Sequence, residues 1–279
     1  MALSLPTIPT RTDGHVLFAT FSAPPLNLIG PEVVRDLVTL IGEVNGDDGI
    51  HVVVFDSADP DFLFPHVDLT KVAEYTAEAG RGAGPGDASL GVLFRRISEL
   101  SAITIVKIAG RARGAGSEFA LACDMRFASL ERGIFGQPEA GFGAPAGAGA
   151  LQHLSRLVGR GRALEILLSA ADYTAEDAER YGWINRALPD TELDTFVAEL
   201  ASRIASFPIA GLLATKDRVN SATLPDVAEV RADARLFQQL VVSEAVQSRA
   251  RALFARGFQT RGDVELNLGR AIGELDPAN

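Results

Sequence analysis

The chain has 279 residues, 47% of them hydrophobic and 22% charged, which suits a folded protein of one large domain or two small ones. With 26 basic and 36 acidic side chains the net charge is −10. That argues against a broad nucleic-acid or anionic-membrane surface, though not against a local basic patch for one small anion. Cys123 is the single cysteine, so neither an intramolecular disulfide nor a cysteine zinc site is expected. His15, His51, His66 and His153 are scattered without metal-ligand spacing. The opening Met-Ala-Leu-Ser-Leu-Pro lacks a basic region followed by a long apolar stretch, and no apolar run approaches the roughly 18–20 residues of a membrane span. A reducing, cytoplasmic setting with no membrane and no nucleic-acid partner is the expectation.

Residues 15–21, HVLFATF, and 51–55, HVVVF, read as strands. Between them Val33, Val34, Leu37, Leu40, Ile41 and Val44 have helical spacing, and Pro31 suits a first turn. Strand, helix and strand together suggest an α/β unit. GRGAGPG at 80–86 is a flexible loop, either a plain surface connection or a lid near a site. A helix is predicted from about 88 to 100, then a buried strand, ITIVKIAG, at 103–110. GRARGAGSEFALA at 110–122 is a glycine-rich turn entering an apolar helix, and GFGAPAGAGA at 141–150 enters another, with a further helix over roughly 161–169. Thr174 is a plausible N-cap. The last third is mostly helical, over about 191–206, 208–220, 226–256 and 262–274.

Several nucleotide and hydrolase motifs are excluded. GRARGAGS lacks the lysine of a phosphate-binding loop, no dinucleotide fingerprint sits between strand and helix, and no G-x-S-x-G elbow occurs. A strand running through Gly114-Ala115-Gly116 into a helix leaves backbone amides unpaired at the positive end of the helix dipole, where a developing oxyanion can be held. Glu118 lies in the first turn; it either complements the dipole or does chemistry. Glu139, in FGQPEAGFG, is either a solvated loop carboxylate or the second half of a general acid/base pair.

Residues 103–129, ITIVKIAGRARGAGSEFALACDMRFAS, resemble the signature of the crotonase (enoyl-CoA hydratase/isomerase) family. FGQPEAGFGAPAGAGALQHL at 135–154 and GRGRALEILLSAADYTAEDAERYGWINRALP at 159–189 resemble its next two blocks, and PPLNLI at 24–29 and DFLFPHVDL at 61–69 the two earlier ones. The resemblance covers roughly residues 12–220.

It implies an α/β spiral of strand-strand-helix turns over residues 1–205, carrying the active site. It also implies a helical oligomerisation region at 206–279, with assembly as a homotrimer or a dimer of trimers. The implied substrate is an acyl-CoA thioester, so coenzyme A enters with the substrate and no metal or separate cofactor is called for. By motif position the oxyanion amides belong to Val67 and Ala115. Glu118 and Glu139 fall where family members that hydrate enoyl-CoA carry two glutamates. That favours a lyase adding water to an α,β-unsaturated thioester. The alternatives are a divergent isomerase or a thioester or carbon–carbon hydrolase acting on another substrate, and a non-catalytic trimeric binding subunit. Phe64, Pro65, His66, Asp68, Leu69 and Gly114 are the expected substrate-binding residues.

The sequence departs from the family at several points. Pro65-His66-Val67-Asp68 stands where Ala-Gly-x-Asp is usual, so His66 replaces a glycine. It is a space-filler, a catalytic group or a wall that narrows the site. Gly114-Ala115-Gly116 interrupts a glycine triplet, and His153 stands where arginine is more usual. The arginine-rich stretch 243–269 departs from the usual ending and faces solvent, a phosphate or a neighbouring subunit. Asp124 and Arg126 are a candidate structural pair.

Overall fold

The computed structural model describes residues 5–84 and 86–276. The expectation drawn from the first four residues lies outside them, as does Pro85 of the glycine-rich loop. The chain opens as a hairpin in which β1 (Thr10–Asp13) turns at Gly14 into β2 (Val16–Phe21). β1 is polar and mostly exposed, so no apolar alternation marks it in the sequence. α1 (Pro31–Asn45) starts at Pro31 and buries the six apolar residues whose spacing predicts it.

Three turns of one pattern follow. β3 (Val52–Ser57) and β4 (Phe62–Phe64) lead into α2 (Val72–Ala79) and α3 (Leu90–Ser98). β5 (Ile103–Ile108) and β6 (Arg111–Arg113) lead into α4 (Ala115–Ala122). β7 (Met125–Ser129) and β8 (Ile134–Gly136) lead into α5 (Glu139–Phe142) and α6 (Ala150–Ser169). Each turn gives its first strand to one sheet and its second to another. The chain then adds β9 (Asp172–Thr174), α7 (Ala175–Tyr181), capped by the Thr174 hydroxyl as expected, β10 (Arg186–Leu188) and α8 (Asp190–Ala205). The larger sheet runs β1-β2-β3-β5-β7-β10 and is parallel beyond its first pair; the smaller runs β4-β6-β8-β9. This is the expected α/β spiral.

The period of two in β3 explains why its sequence is apolar throughout. Val53 and Phe55 face the core between the sheets. Val52 and Val54 face outward, where Leu193, Val197, Ala201 and Ala205 of α8 cover them. Phe21, Phe55 and Phe64 surround Phe119 of α4, with ring centroids 5.1–5.7 Å from it. Phe62 and Phe64 are both fully buried and belong to the core. α4 ends at Ala122, so Cys123 and Asp124 lie beyond the helix, and the Asp124–Arg126 pair does not form. Asp124 instead accepts the Thr104 amide and pairs with Lys216, while Arg126 donates to the carbonyls of Ala120, Cys123 and Trp183.

The two helical segments predicted around 150–169 are the halves of α6, broken at Gly159. The junction expected at 205/206 falls at the end of α8. Beyond it come α9 (Ile209–Thr223), α10 (Val227–Val241), α11 (Glu244–Phe254), α12 (Asp263–Leu266) and α13 (Leu268–Gly273). The single helix predicted over 226–256 is two, because the Ser243 hydroxyl caps α11 and ends the run. From α10 onward the chain folds back on itself: Val241, Val246, Leu253, Phe258 and Leu268 form a second core with Phe142 and Ala144.

The closest approach between the layers is at Gly116, where an added Cβ would lie 2.3 Å from the Phe64 carbonyl oxygen. Gly116→Ala is expected to cost about 3 kcal/mol, the upper end of ordinary overpacking. Gly161→Ala, with nothing within 4 Å of the new methyl, is expected to leave stability unchanged or raise it. Urea unfolding of the two variants checks both.

Candidate active site

A cavity of about 890 Å³, including its open mouth, lies between the spiral and the returning C-terminal helices, and both Glu118 and Glu139 face it. α4 carries Glu118 one turn after the glycine-rich bend. Its Oε1 accepts the amides of Ala148 (2.7 Å) and Ala150 (3.1 Å), at the start of α6, across the cavity floor. Glu139 is not in an irregular loop; it is the first residue of the one-turn helix α5. Gly114 leaves it room. That glycine has φ 50°, and an added Cβ would lie 2.7 Å from Glu139 Oε1. The other oxygen, Oε2, is buried with no hydrogen-bond partner.

Burial pushes the Glu118 carboxyl up to about 7, against the pull of its two amide donors. Glu139 is raised well above the ordinary carboxylate range, first by burial and then by the charge of Glu118. Such a pair holds one proton between its members near neutrality. Tyr75 also faces the cavity, and its phenol is pushed up by burial and by Glu118 and Asp68, so it remains a donor.

The amides of Val67 and Ala115 belong to residues that line this cavity. Ala115 opens α4, where an amide has no helical acceptor. The parallel bridge between Ile29 and Val67 uses the His66 carbonyl and the Asp68 amide, both bonded to Ile29 at 3.1 Å. The amide and carbonyl of Val67 itself therefore point away from Ile29.

Of the six residues expected to touch substrate, His66 and Leu69 line the cavity, and four do not. Phe64 is in the core against Phe21 and Phe119. Pro65 is buried beside it, off the cavity wall. Asp68 caps a single 3₁₀ turn by accepting the Thr70 amide. Gly114 donates its amide to Gly136 and makes space for Glu139.

Sequence reasoning missed the outer wall, formed by Phe237 and Val241 of α10 together with Phe258 and Leu268. It also missed Glu265, which is fully buried and bonded to His66 Nε2 at 3.0 Å. Only the apolar neighbours in Val264-Glu265-Leu266 hint at burial. The arginines of the C-terminal stretch hold it to its own chain. Arg249 donates to the Gly141 carbonyl, Arg256 pairs with Glu274, and Arg261 with Asp59 and Asp61. His153 is packed in the first turn of α6 against Gly149, and burial lowers its imidazole to about 4. Ser89 ends the glycine-rich loop at the cavity edge and caps α3.

The geometry agrees with what comparison with known proteins finds. The family model for enoyl-CoA hydratase/isomerase matches residues 11–259. The chain belongs to that family. It is 30% identical over 227 residues to the short-chain-enoyl-CoA hydratase of Clostridium acetobutylicum, covering 81% of this chain and 85% of that one. It is 29% identical over 203 residues to the crotonyl-CoA hydratase of Syntrophomonas wolfei, covering 72% and 76%. A Streptomyces avermitilis protein, solved as a candidate enoyl-CoA hydratase, superimposes with a TM-score of 0.98 at 63% identity over 99% of both chains.

The raised carboxyls carry a stability consequence. Above about pH 4.5, their range in the unfolded chain, the folded state keeps protons the unfolded chain has released, through about pH 7 for Glu118 and, for Glu139, into a range well above the ordinary carboxylate one, so their contribution to stability is lost as pH rises. Glu139→Gln keeps the shape and removes the charge. It is expected to raise the melting temperature relative to the parent at pH 8, by about 2–4 °C per kcal/mol recovered, and far less at pH 5. Calorimetry at the two pH values checks this; equal differences at both would contradict it.

Proposed function

We propose that the protein hydrates an α,β-unsaturated acyl-CoA thioester, with Glu118 and Glu139 as the acid/base pair and the amides of Val67 and Ala115 as the oxyanion hole. The observation that carries this reading is the meeting, around one apolar cavity, of the buried Glu118, of Glu139 with its buried and unpartnered Oε2, and of Val67 and Ala115. The names of the hydratases it resembles support the same substrate class.

The two carboxyls have different environments, which assigns their parts. Glu118, with two amides on Oε1, is the one better held as a carboxylate, and it takes the proton of the attacking water. Glu139, with an unpartnered buried oxygen, holds a proton and delivers it to the α carbon. Water oxygen adds to the β carbon, and the thioester oxygen gathers negative charge at the two amides. The product is a 3-hydroxyacyl thioester; no electrons leave or enter, and coenzyme A stays attached throughout. Assembly as a homotrimer or a dimer of trimers belongs to the same proposal, supported by the exposed Leu157, Leu164 and Leu168 on α6. So does a cytoplasmic setting, supported by the lone, free Cys123.

Incubation with an enoyl-CoA panel in deuterated buffer, read by mass spectrometry, is expected to show added water. Deuterium uptake without added water would instead mean isomerisation, and free coenzyme A would mean hydrolysis. Glu118→Gln and Glu139→Gln are each expected to lower kcat by about 10²–10⁴-fold, with folding intact by circular dichroism. Turnover at the parent rate in either variant removes that residue from the mechanism.

A further inference from the structure

His66 stands one residue before the proposed oxyanion amide, and its ring is held at both nitrogens. Nδ1 lies 2.8 Å from the Val67 carbonyl oxygen, and Nε2 lies 3.0 and 3.1 Å from the two oxygens of Glu265. A carbonyl only accepts, so Nδ1 carries a hydrogen. Nε2 faces a carboxylate that already accepts the Gln259 amide at 2.6 Å. A ring that donates at both positions is an imidazolium. Both partners are almost wholly buried, so each is the nearest opposite charge to the other; the Gln259 amide and the more distant charge of Arg113 add to the support of the carboxylate. Phe258 stacks on the ring at 4.5 Å between centroids, and the ring forms part of the cavity wall.

The position of Glu265 is fixed independently of His66. Arg113, clamped by both oxygens of Asp172, donates to the backbone carbonyls of Glu265 and Leu266. Gln259 reaches Glu265 through a left-handed backbone, φ 59°. A non-glycine residue held there is a local cost that the surrounding bonds maintain.

We propose that the His66–Glu265 ion pair is a positioning element of the oxyanion hole, delivered to the site by the C-terminal segment of the same chain. The inference rests on Val67 being an oxyanion donor, as in the proposed function. In an extended residue the amide and carbonyl point the same way, so negative charge gathering at the Val67 amide sits near the Val67 carbonyl oxygen. The His66 proton on that oxygen offsets its partial negative charge and keeps the peptide from turning. The pair as a whole is neutral, with its positive end toward the hole. A glycine at position 66 supplies neither effect. His66 and Glu265 are thus positioning residues, acting through the Val67 peptide.

The test compares the parent with Glu265→Gln, which keeps an acceptor for both Gln259 and Nε2 but removes the charge. Three readouts are used. Nitrogen-15 spectra of the His66 ring are expected to show both nitrogens protonated in the parent and one in the variant. Bound 3-oxobutanoyl-CoA is expected to be enolised in the parent, read as near-ultraviolet absorbance, with the enolate fraction falling about 10- to 100-fold in the variant. Hydration of enoyl-CoA is expected to lose a similar factor in kcat with KM held within about twofold.

Should Glu265→Gln fail to fold, His66→Gln/Glu265→Gln removes both charges without orphaning either and is expected to show the same losses. A parent ring with one proton overturns the proposal. So does a variant with parental enolate fraction and kcat, or a loss confined to KM. If the parent turns over no enoyl-CoA, the proposed reaction fails, while the ring spectra and enolate fraction still decide the ion pair.

Discussion

Everything at the site depends on how closely α4 can approach the strand β4. With only a hydrogen at Gly116, the helix comes down against the Phe64 carbonyl, and the ring of Phe119 then seats among Phe21, Phe55 and Phe64. This contact sets the Ala115 amide and the Val67 amide on the wall of one cavity. It also fixes the depth at which Glu118 is buried. A methyl group of extra separation would move one amide relative to the other, and an oxyanion hole is useful only when both donors reach the same atom. The aromatic cluster behind the helix resists any such adjustment, because close-packed interiors yield little.

Around that fixed point the fold handles charge in two contrasting ways. The two glutamates are buried without cations, and burial leaves them holding a proton that chemistry can use. His66 and Glu265 are buried as opposite charges in contact, and there the partners preserve ionisation: burial, the largest single influence, would raise Glu265, but the charge and hydrogen bond of His66, the Gln259 amide and the charge of Arg113 together outweigh it and lower the carboxyl. The first arrangement suits proton transfer, the second suits a stationary field. Both border the same cavity, and the apolar wall of α10 and Phe258 limits the water that would otherwise screen them.

Much of this is legible in the chain. Apolar periodicity places α1 and the parallel strands, and the glycine-rich bend before an apolar helix points to unpaired amides. Two glutamates flanking glycine-rich turns suggest an acid/base pair, though spacing alone says nothing of their meeting. What stays hidden has physical causes. Phe64 and Leu69 are both apolar and lie close in sequence, yet one faces the core and the other the cavity, and only packing separates them. The edge strand β1 is polar because one side of it faces solvent. The end of α10 is marked by no glycine or proline, only by a serine cap. Glu265 is 199 residues from His66, and no local rule connects a glutamate in a short C-terminal helix to a loop after the fourth strand.

That last separation also bears on the birth of the protein. During translation the two sheets, the phenylalanine cluster and the two cavity-lining glutamates can all form while the final helices are still unmade. The His66 side chain must then wait, without its carboxylate, until residue 265 has left the ribosome. Completion of the His66–Glu265 pair therefore follows the synthesis of the whole spiral. A nascent chain halted shortly before Glu265 would have a nearly complete scaffold and an unfinished site.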